Sequence, residues 1–185
     1  LSFFLLIISF PIILFSGLLI WLSDRGPILY KQEREGLFRK KFNIYKLRSM
    51  IVNAESCGPQ WASKNDKRIT LIGKILRKTR IDELPQLISV LKGDMSLIGP
   101  RPERPQFNNL LEKEIPYYDL RHLLKPGLSG WAQVNYHYGA SIKDAENKLS
   151  YDLFYIRNFN LILDLLIAIK TVKLIINAAG SEPSK

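Results

Sequence analysis

Residues 1 to 22, LSFFLLIISFPIILFSGLLIWL, form an apolar run without a single charged side chain. As one helix rising about 1.5 Å per residue they would be about 33 Å long, enough to cross a bilayer. Pro11 sits mid-run, where it removes a backbone hydrogen bond and crowds the preceding turn, so a kinked or broken helix is expected. A re-entrant helix that leaves by the face it entered is the preferred path, with a plain membrane span as the alternative. A secretory signal fits poorly, because no basic residues precede the run and no small-residue cleavage pattern follows it. Arg25, Lys31 and Arg34 argue for a cytosolic exit.

Beyond the run, the period of the pattern changes. Residues 28 to 48 read as a β-hairpin, with ILYKQ and FNIYKLR joined by a polar link containing Gly36. Alternation in the second strand puts Phe42, Ile44, Lys46 and Arg48 on one face. Lys46 and Arg48 are then either a solvated strand edge or fixed cations. Residues 51 to 66 are polar and loop-like, with Gly58 and Pro59. In LIGKILRKT, Leu71, Ile72, Ile75 and Leu76 recur at helical spacing among Lys74, Arg77 and Lys78. Asp82 resembles an N-cap, with Pro85 in the first turn of a helix running to Gly93. From Tyr151 to Asn177 an apolar stretch is interrupted by Asp164, Lys170 and Lys173, which predicts one amphipathic helix lying on a membrane or a core. The fold class that follows is α+β, mainly helical with a small hairpin. Residues 1–22 form a membrane-embedded element and residues 23–185 one functional module, with amphipathic helices on its surface.

Composition narrows the partners. A chain of 185 residues with net charge +10 needs an anionic partner: nucleic acid, lipid headgroups or a phosphorylated substrate. Cys57 is the single cysteine, which forbids an internal disulfide, and only His122 and His137 accompany it, so a zinc site is not expected. A hard cation on carboxylate and phosphate oxygens suits the chain better.

The candidate chemistry centres on Asp82 and Glu83 in RIDELPQL. Adjacent carboxylates repel each other and any phosphate, so nearby cations are needed if both are to ionise beside a phosphorylated ligand. Arg77 and Arg80 lie just upstream, and GPRP at residues 99 to 102 holds Arg101 beside Pro102 on a restricted turn. A rigid guanidinium suits bidentate phosphate contact. A helix cap for Asp82 and a local ion pair for Arg101 are the plainer readings. In KPGLSGWAQVNYHYG, residues 125 to 139, Trp131 and Tyr136 offer planar surfaces, while Gln133 and Asn135 have amides able to read a base edge. A surface loop with a buried tryptophan accounts for the same composition.

Taken together, IYKLRSM, RITLIGKILRKTRIDELPQL, LKGDMSLIGPRP and KPGLSGWAQVN resemble the bacterial sugar transferase family, the monotopic polyprenol-phosphate phosphoglycosyl transferases. The resemblance covers nearly the whole chain. It implies an enzyme of the bacterial inner membrane with its site on the cytosolic face. Such an enzyme moves a sugar 1-phosphate from a UDP-sugar to undecaprenyl phosphate, releasing UMP, to begin exopolysaccharide, capsule or O-antigen assembly. By the family pattern Asp82 would be the nucleophile that forms an aspartyl phosphosugar, and Glu83 would hold Mg2+. Lys46, Arg77 and Arg101, with Pro102, would bind phosphates, and Gln133 and Asn135 would shape the nucleotide or sugar pocket. Membrane lipids are implied partners, nucleic acid is not, and a homodimer is left open.

The chain departs from the family pattern in places. Phe10 stands where a serine often precedes the helix proline, with Ser9 one position further back, so Ser9 and Pro11 would make the membrane break. Arg80 replaces a small polar residue, and no basic segment precedes the apolar run. Larger members carry spans and a domain ahead of this module, so a longer parent protein is expected. The competing readings are a glycosyltransferase that releases UDP and a non-enzymatic basic module anchored in the membrane.

Overall fold

The computed structural model describes residues 1–56, 58–61, 63, 66–136, 139 and 141–177; Cys57 and His137 lie outside them. The chain opens with α1 (Ser2–Asp24), then the antiparallel pair β1 (Leu29–Glu35) and β2 (Lys41–Leu47), and α2 (Leu71–Lys78). A 3-10 helix (Ile81–Gln86) leads into α3 (Leu87–Leu91), followed by β3 (Ser96–Ile98) and α4 (Pro105–Glu114). A later 3-10 turn (Tyr118–Leu123) precedes β4 (Gly127–Ser129), α5 (Trp131–Asn135), α6 (Ile142–Asn158) and α7 (Leu161–Ile176), and a short one (Leu37–Arg39) lies in the hairpin link. The described residues are thus mostly helical with two small sheets, and the expected hairpin is present with the register Tyr30 opposite Lys46 and Arg34 opposite Phe42.

The apolar run is one helix, long and apolar enough to cross a membrane, and it continues past Pro11. Ser9 Oγ donates to the Leu6 carbonyl at 3.2 Å, so it serves a neighbour of the Ile7 carbonyl that Pro11 leaves without its usual donor. One stripe of α1, Ser9, Ser16, Gly17 and Ile20, is buried, while Phe3, Phe4, Ile8, Phe15 and Leu22 on the other sides are exposed. Ile20 packs with Leu47 and Leu76, joined by Ile13, Ile72 and Ile81, so the hairpin, α2 and the Ile81–Gln86 turn share a core with the apolar helix. Each such side chain fully buried is worth roughly 1.5–3 kcal/mol. Arg25 ends α1 in the left-handed region, and Arg48 ties that end down by a fork onto both Asp24 oxygens and a 2.6 Å bond from Nε to the Pro27 carbonyl.

Two expectations change. Tyr151–Asn177 is not one helix: α6 stops at Asn158, Phe159 is extended, and Asn160 restarts the chain as the cap of α7 by accepting from Leu163 N at 2.9 Å. Asp82 is not an N-cap either. Arg80, at φ 58°, takes that position, so Asp82 and Glu83 already lie inside the 3-10 turn and their side chains are buried.

α2 is anchored by close backbone approach. Thr70 caps it, accepting from Gly73 N at 2.9 Å, and Thr70 N donates to the Ser49 carbonyl at 3.1 Å. A Cβ at Gly73 would stand 1.9 Å from that carbonyl oxygen. Gly73→Ala is therefore expected to cost about 1–3 kcal/mol, read as a lower urea midpoint. An unchanged midpoint would show that the backbone at Ser49 yields freely.

Candidate active site

Asp82 and Glu83 lie on a 3-10 turn pressed between β2 and α1, and both line a cavity of about 730 Å³. Glu83 is the electrostatic hub. Its Oε1 accepts from Lys46 Nζ at 2.8 Å and from Arg101, and Arg80 Nη1 stands 3.6 Å from Oε2. Burial pushes the Glu83 carboxyl up, but Arg101, Lys46 and Arg80 outweigh it and hold the group well below the ordinary range. Asp82 moves the other way. Burial and the neighbouring Glu83 charge raise it to about 6, against the pull of Lys46, Arg77 and Arg80. Its Oδ1 is buried and has no hydrogen-bond partner among the described residues. One carboxylate is fully committed to cations, and the other keeps an open oxygen.

The solvated-edge reading of β2 is thereby overturned. Lys46 is half-buried against Glu83 and Arg48 is buried against Asp24, in line with the inward-packed Phe42 and Ile44. Burial lowers the Lys46 ammonium, partly offset by Glu83.

The other predicted residues divide. Arg77, Arg101 and Gln133 line the cavity, and the Gln133 Oε1 is a buried acceptor without a partner among the described residues. Pro102 is buried outside the main cavity, its carbonyl accepting from Arg34 Nη1 at 2.9 Å. Asn135 also lies outside it: Nδ2 donates to the Trp131 carbonyl at 2.8 Å and Oδ1 accepts from Lys170 at 2.6 Å. Tyr136 faces the cavity, whereas Trp131 is stacked on Phe154 with Lys170 over its ring.

Short parallel pairing of β3 with β4 brings the two glycine-rich motifs together. Ser96 is opposite Gly127, Gly127 N donates to the Pro100 carbonyl at 2.8 Å, and Gly99 N donates to Ser129 at 2.9 Å. A Cβ on Gly127 would come within 2.1 Å of Gly99 N, so the two loops touch backbone to backbone.

Several cavity residues were not among those anticipated. Arg34 reaches it from β1, and period-2 alternation along Tyr30, Gln32 and Arg34, applied to the first strand as to the second, would have found it. Trp61 and Phe107, with ring centroids 4.6 Å apart, form an aromatic wall. Arg121 holds the Arg101 carbonyl at 2.8 Å and Asp152 at 2.9 Å. No short-range pattern marks these.

Among the described residues, no cluster of three His, Cys, Asp or Glu could cage a metal ion. Two adjacent carboxylates fit the other arrangement known for magnesium, in which one or two protein oxygens share the ion with substrate phosphates and water. Glu83, now held by Lys46, Arg101 and Arg80, would have an oxygen to offer once anionic phosphates drew those cations away.

A carboxylate pair collared by guanidinium and ammonium groups, beside an apolar exposed helix, is an arrangement whose chemistry suits phosphate-bearing ligands. The chain belongs to the bacterial sugar transferase family, which it matches over residues 1–178. It is 48% identical over 172 residues to the UDP-N-acetylgalactosamine-undecaprenyl-phosphate N-acetylgalactosaminephosphotransferase of Aeromonas hydrophila, covering 93% of this chain and 41% of that protein. It is 40% identical over 170 residues to the UDP-glucose:undecaprenyl-phosphate glucose-1-phosphate transferase of Escherichia coli (strain K12), covering 91% and 36%. The exopolysaccharide production protein PSS of Rhizobium leguminosarum bv. phaseoli is 40% identical over 173 residues, covering 90% and 86%. The chain thus spans less than half the length of the first two relatives.

Proposed function

We propose that this chain transfers a sugar 1-phosphate from a UDP-sugar to a polyprenol phosphate, undecaprenyl phosphate in bacteria, releasing UMP. The observation that carries this reading is the buried Asp82 carboxyl, with its open Oδ1, set on a cavity wall among cations. An Asp82 oxygen attacks the sugar-bearing phosphorus, the bond from that phosphorus to the bridging oxygen breaks, and UMP leaves with the bond pair. An oxygen of the lipid phosphate then attacks the same phosphorus, which frees the Asp82 carboxylate and yields a lipid diphosphate sugar. Dividing one hard transfer into two is what a carboxylate nucleophile achieves. Lys46, Arg80 and Arg101 neutralise Glu83 in the free protein and are placed to turn to the diphosphate when it arrives. Magnesium, held by Glu83 with phosphate oxygens, would stabilise charge on the departing phosphate. Gln133 offers its open acceptor to a donor group on the sugar or base.

Seating at the cytosolic face of the inner membrane is part of the same reading. The stripe of α1 from Ser9 to Ile20 is buried, and Ile20 packs on the hairpin and α2, so the helix is held against the module as well as facing outward, and a re-entrant path into one leaflet is the placement this reading takes.

The test is a screen of UDP-sugars with undecaprenyl phosphate in vesicles, following the nucleotide released. UMP is expected from at least one donor, with EDTA stopping release and magnesium restoring it. Release of UDP would reject the reaction, and turnover in EDTA would reject the metal.

A further inference from the structure

Resting on the transfer to a lipid phosphate proposed above, we infer that α2 is the docking face for that acceptor and carries it from the bilayer to Asp82. Ile72 and Leu76 face inward onto Ile13 and Ile20 of α1, so α2 lies beside the apolar helix. Its outward side is apolar too: Leu71 is 82% and Ile75 65% exposed. A helix face meant for water would carry polar groups at these positions.

The order of side chains around the helix supplies the path. At about 100° per residue, Ile75, Leu71, Lys78, Lys74 and Arg77 succeed one another around the axis in that sequence. The face therefore changes smoothly from apolar, through two ammonium groups, to a guanidinium. Lys74 and Lys78 are exposed, and neither ammonium makes an ion pair or hydrogen bond among the described residues. Arg77 lines the cavity, and its charge acts on Asp82. Ile81, next to Asp82, packs in the same cluster as the inward side of α2, so the reacting carboxyl lies one residue from the core that seats this helix.

A long prenyl chain ending in a phosphate matches that gradient. The chain lies along Leu71, Ile75 and the exposed side of α1, the phosphate rests on Lys78 and Lys74, and Arg77 receives it at the cavity mouth. Long lysine stems suit the role, because they lie along apolar surface while their ammonium groups reach the headgroup level.

The experiment uses the full chain reconstituted in neutral phosphatidylcholine vesicles. Lys74→Gln with Lys78→Gln is expected to raise KM for undecaprenyl phosphate about 30-fold, through loss of two ammonium contacts to the lipid phosphate. The single burst of UMP from donor in the absence of acceptor should keep its amplitude, which also shows that the variant is folded. Leu71→Ser with Ile75→Ser should raise KM for undecaprenyl phosphate but not for a short, water-soluble prenyl phosphate. An unchanged acceptor KM in both double variants overturns the inference. An effect of the lysine pair that depends only on added phosphatidylglycerol also overturns it, since the face would then serve bulk headgroups. A wild-type protein that releases no UMP fails the transferase reading instead.

Discussion

Asp82→Asn is expected to lose UMP release by about 10⁴-fold or more, with the same protein becoming more stable at neutral pH. The loss follows from removing an attacking oxygen on which the proposed covalent step depends. The stability gain follows from burial. Asp82 is 7% exposed and sits beside Glu83, so its folded pKa of about 6 lies above the ordinary carboxylate value. A group raised in this way favours the fold while protonated; its contribution is full below about pH 4 and is lost as pH rises through about 6. The neutral amide avoids that loss. Roughly 2–3 kcal/mol at pH 7.5 corresponds to about 5 °C or more in Tm for a chain of this size. Thermal melts in EDTA at pH 4.5 and 7.5 check it: the gap between variant and wild type should open with rising pH. A variant that is both inactive and less stable at pH 7.5 would make Asp82 a structural residue.

Arg121→Met is expected to be the most damaging substitution outside the cavity floor. Arg121 and Asp152 are both buried, and the guanidinium also donates to the Tyr118 hydroxyl and the Arg101 carbonyl. Burial raises the Asp152 carboxyl and Arg121 opposes that rise, so removing the arginine leaves an uncompensated acid in the interior. Breaking one side of such a pair costs about 3–5 kcal/mol, whereas replacing both by apolar groups is often neutral. Arg121→Met with Asp152→Leu should therefore regain most of the urea midpoint lost by the single change. It should not regain full UMP release, because the Arg101 carbonyl has lost its anchor in both. Equal destabilisation by the single and double variants would refute a buried pair as the origin of the cost.

What the sequence reveals here follows the range of the interactions. The hairpin is legible because alternation is a local property of FNIYKLR and its partner strand, and the basic helix because four apolar residues repeat at helical spacing. Asp82 has the sequence neighbours of a cap without being one. The deciding event was Arg80 entering the left-handed region one step earlier, which local preference does not announce. Asn160 is a cap visible in hindsight, overlooked because the apolar pattern carries on across it. The carboxylate pair and its cations were identifiable from residue type, yet their unequal burial states were not. Those depend on contacts such as Lys46 with Glu83, 37 positions apart, and Arg101 with Glu83, 18 apart. Asn135 shows the opposite failure. Its residue type suggested recognition, but a lysine from α7, 35 positions away, occupies it.

Lys46 lies near the end of β2 and Arg48 just past it, with one residue between them, about 7 Å along an extended chain. The first grips Glu83; the second grips Asp24 at the end of the apolar helix. Such a short, stiff strut leaves little slack between anchor and chemistry. A change in the helix's tilt would be delivered to the ammonium that balances Glu83, so on the proposed seating in a membrane the carboxylates would be mechanically coupled to the bilayer.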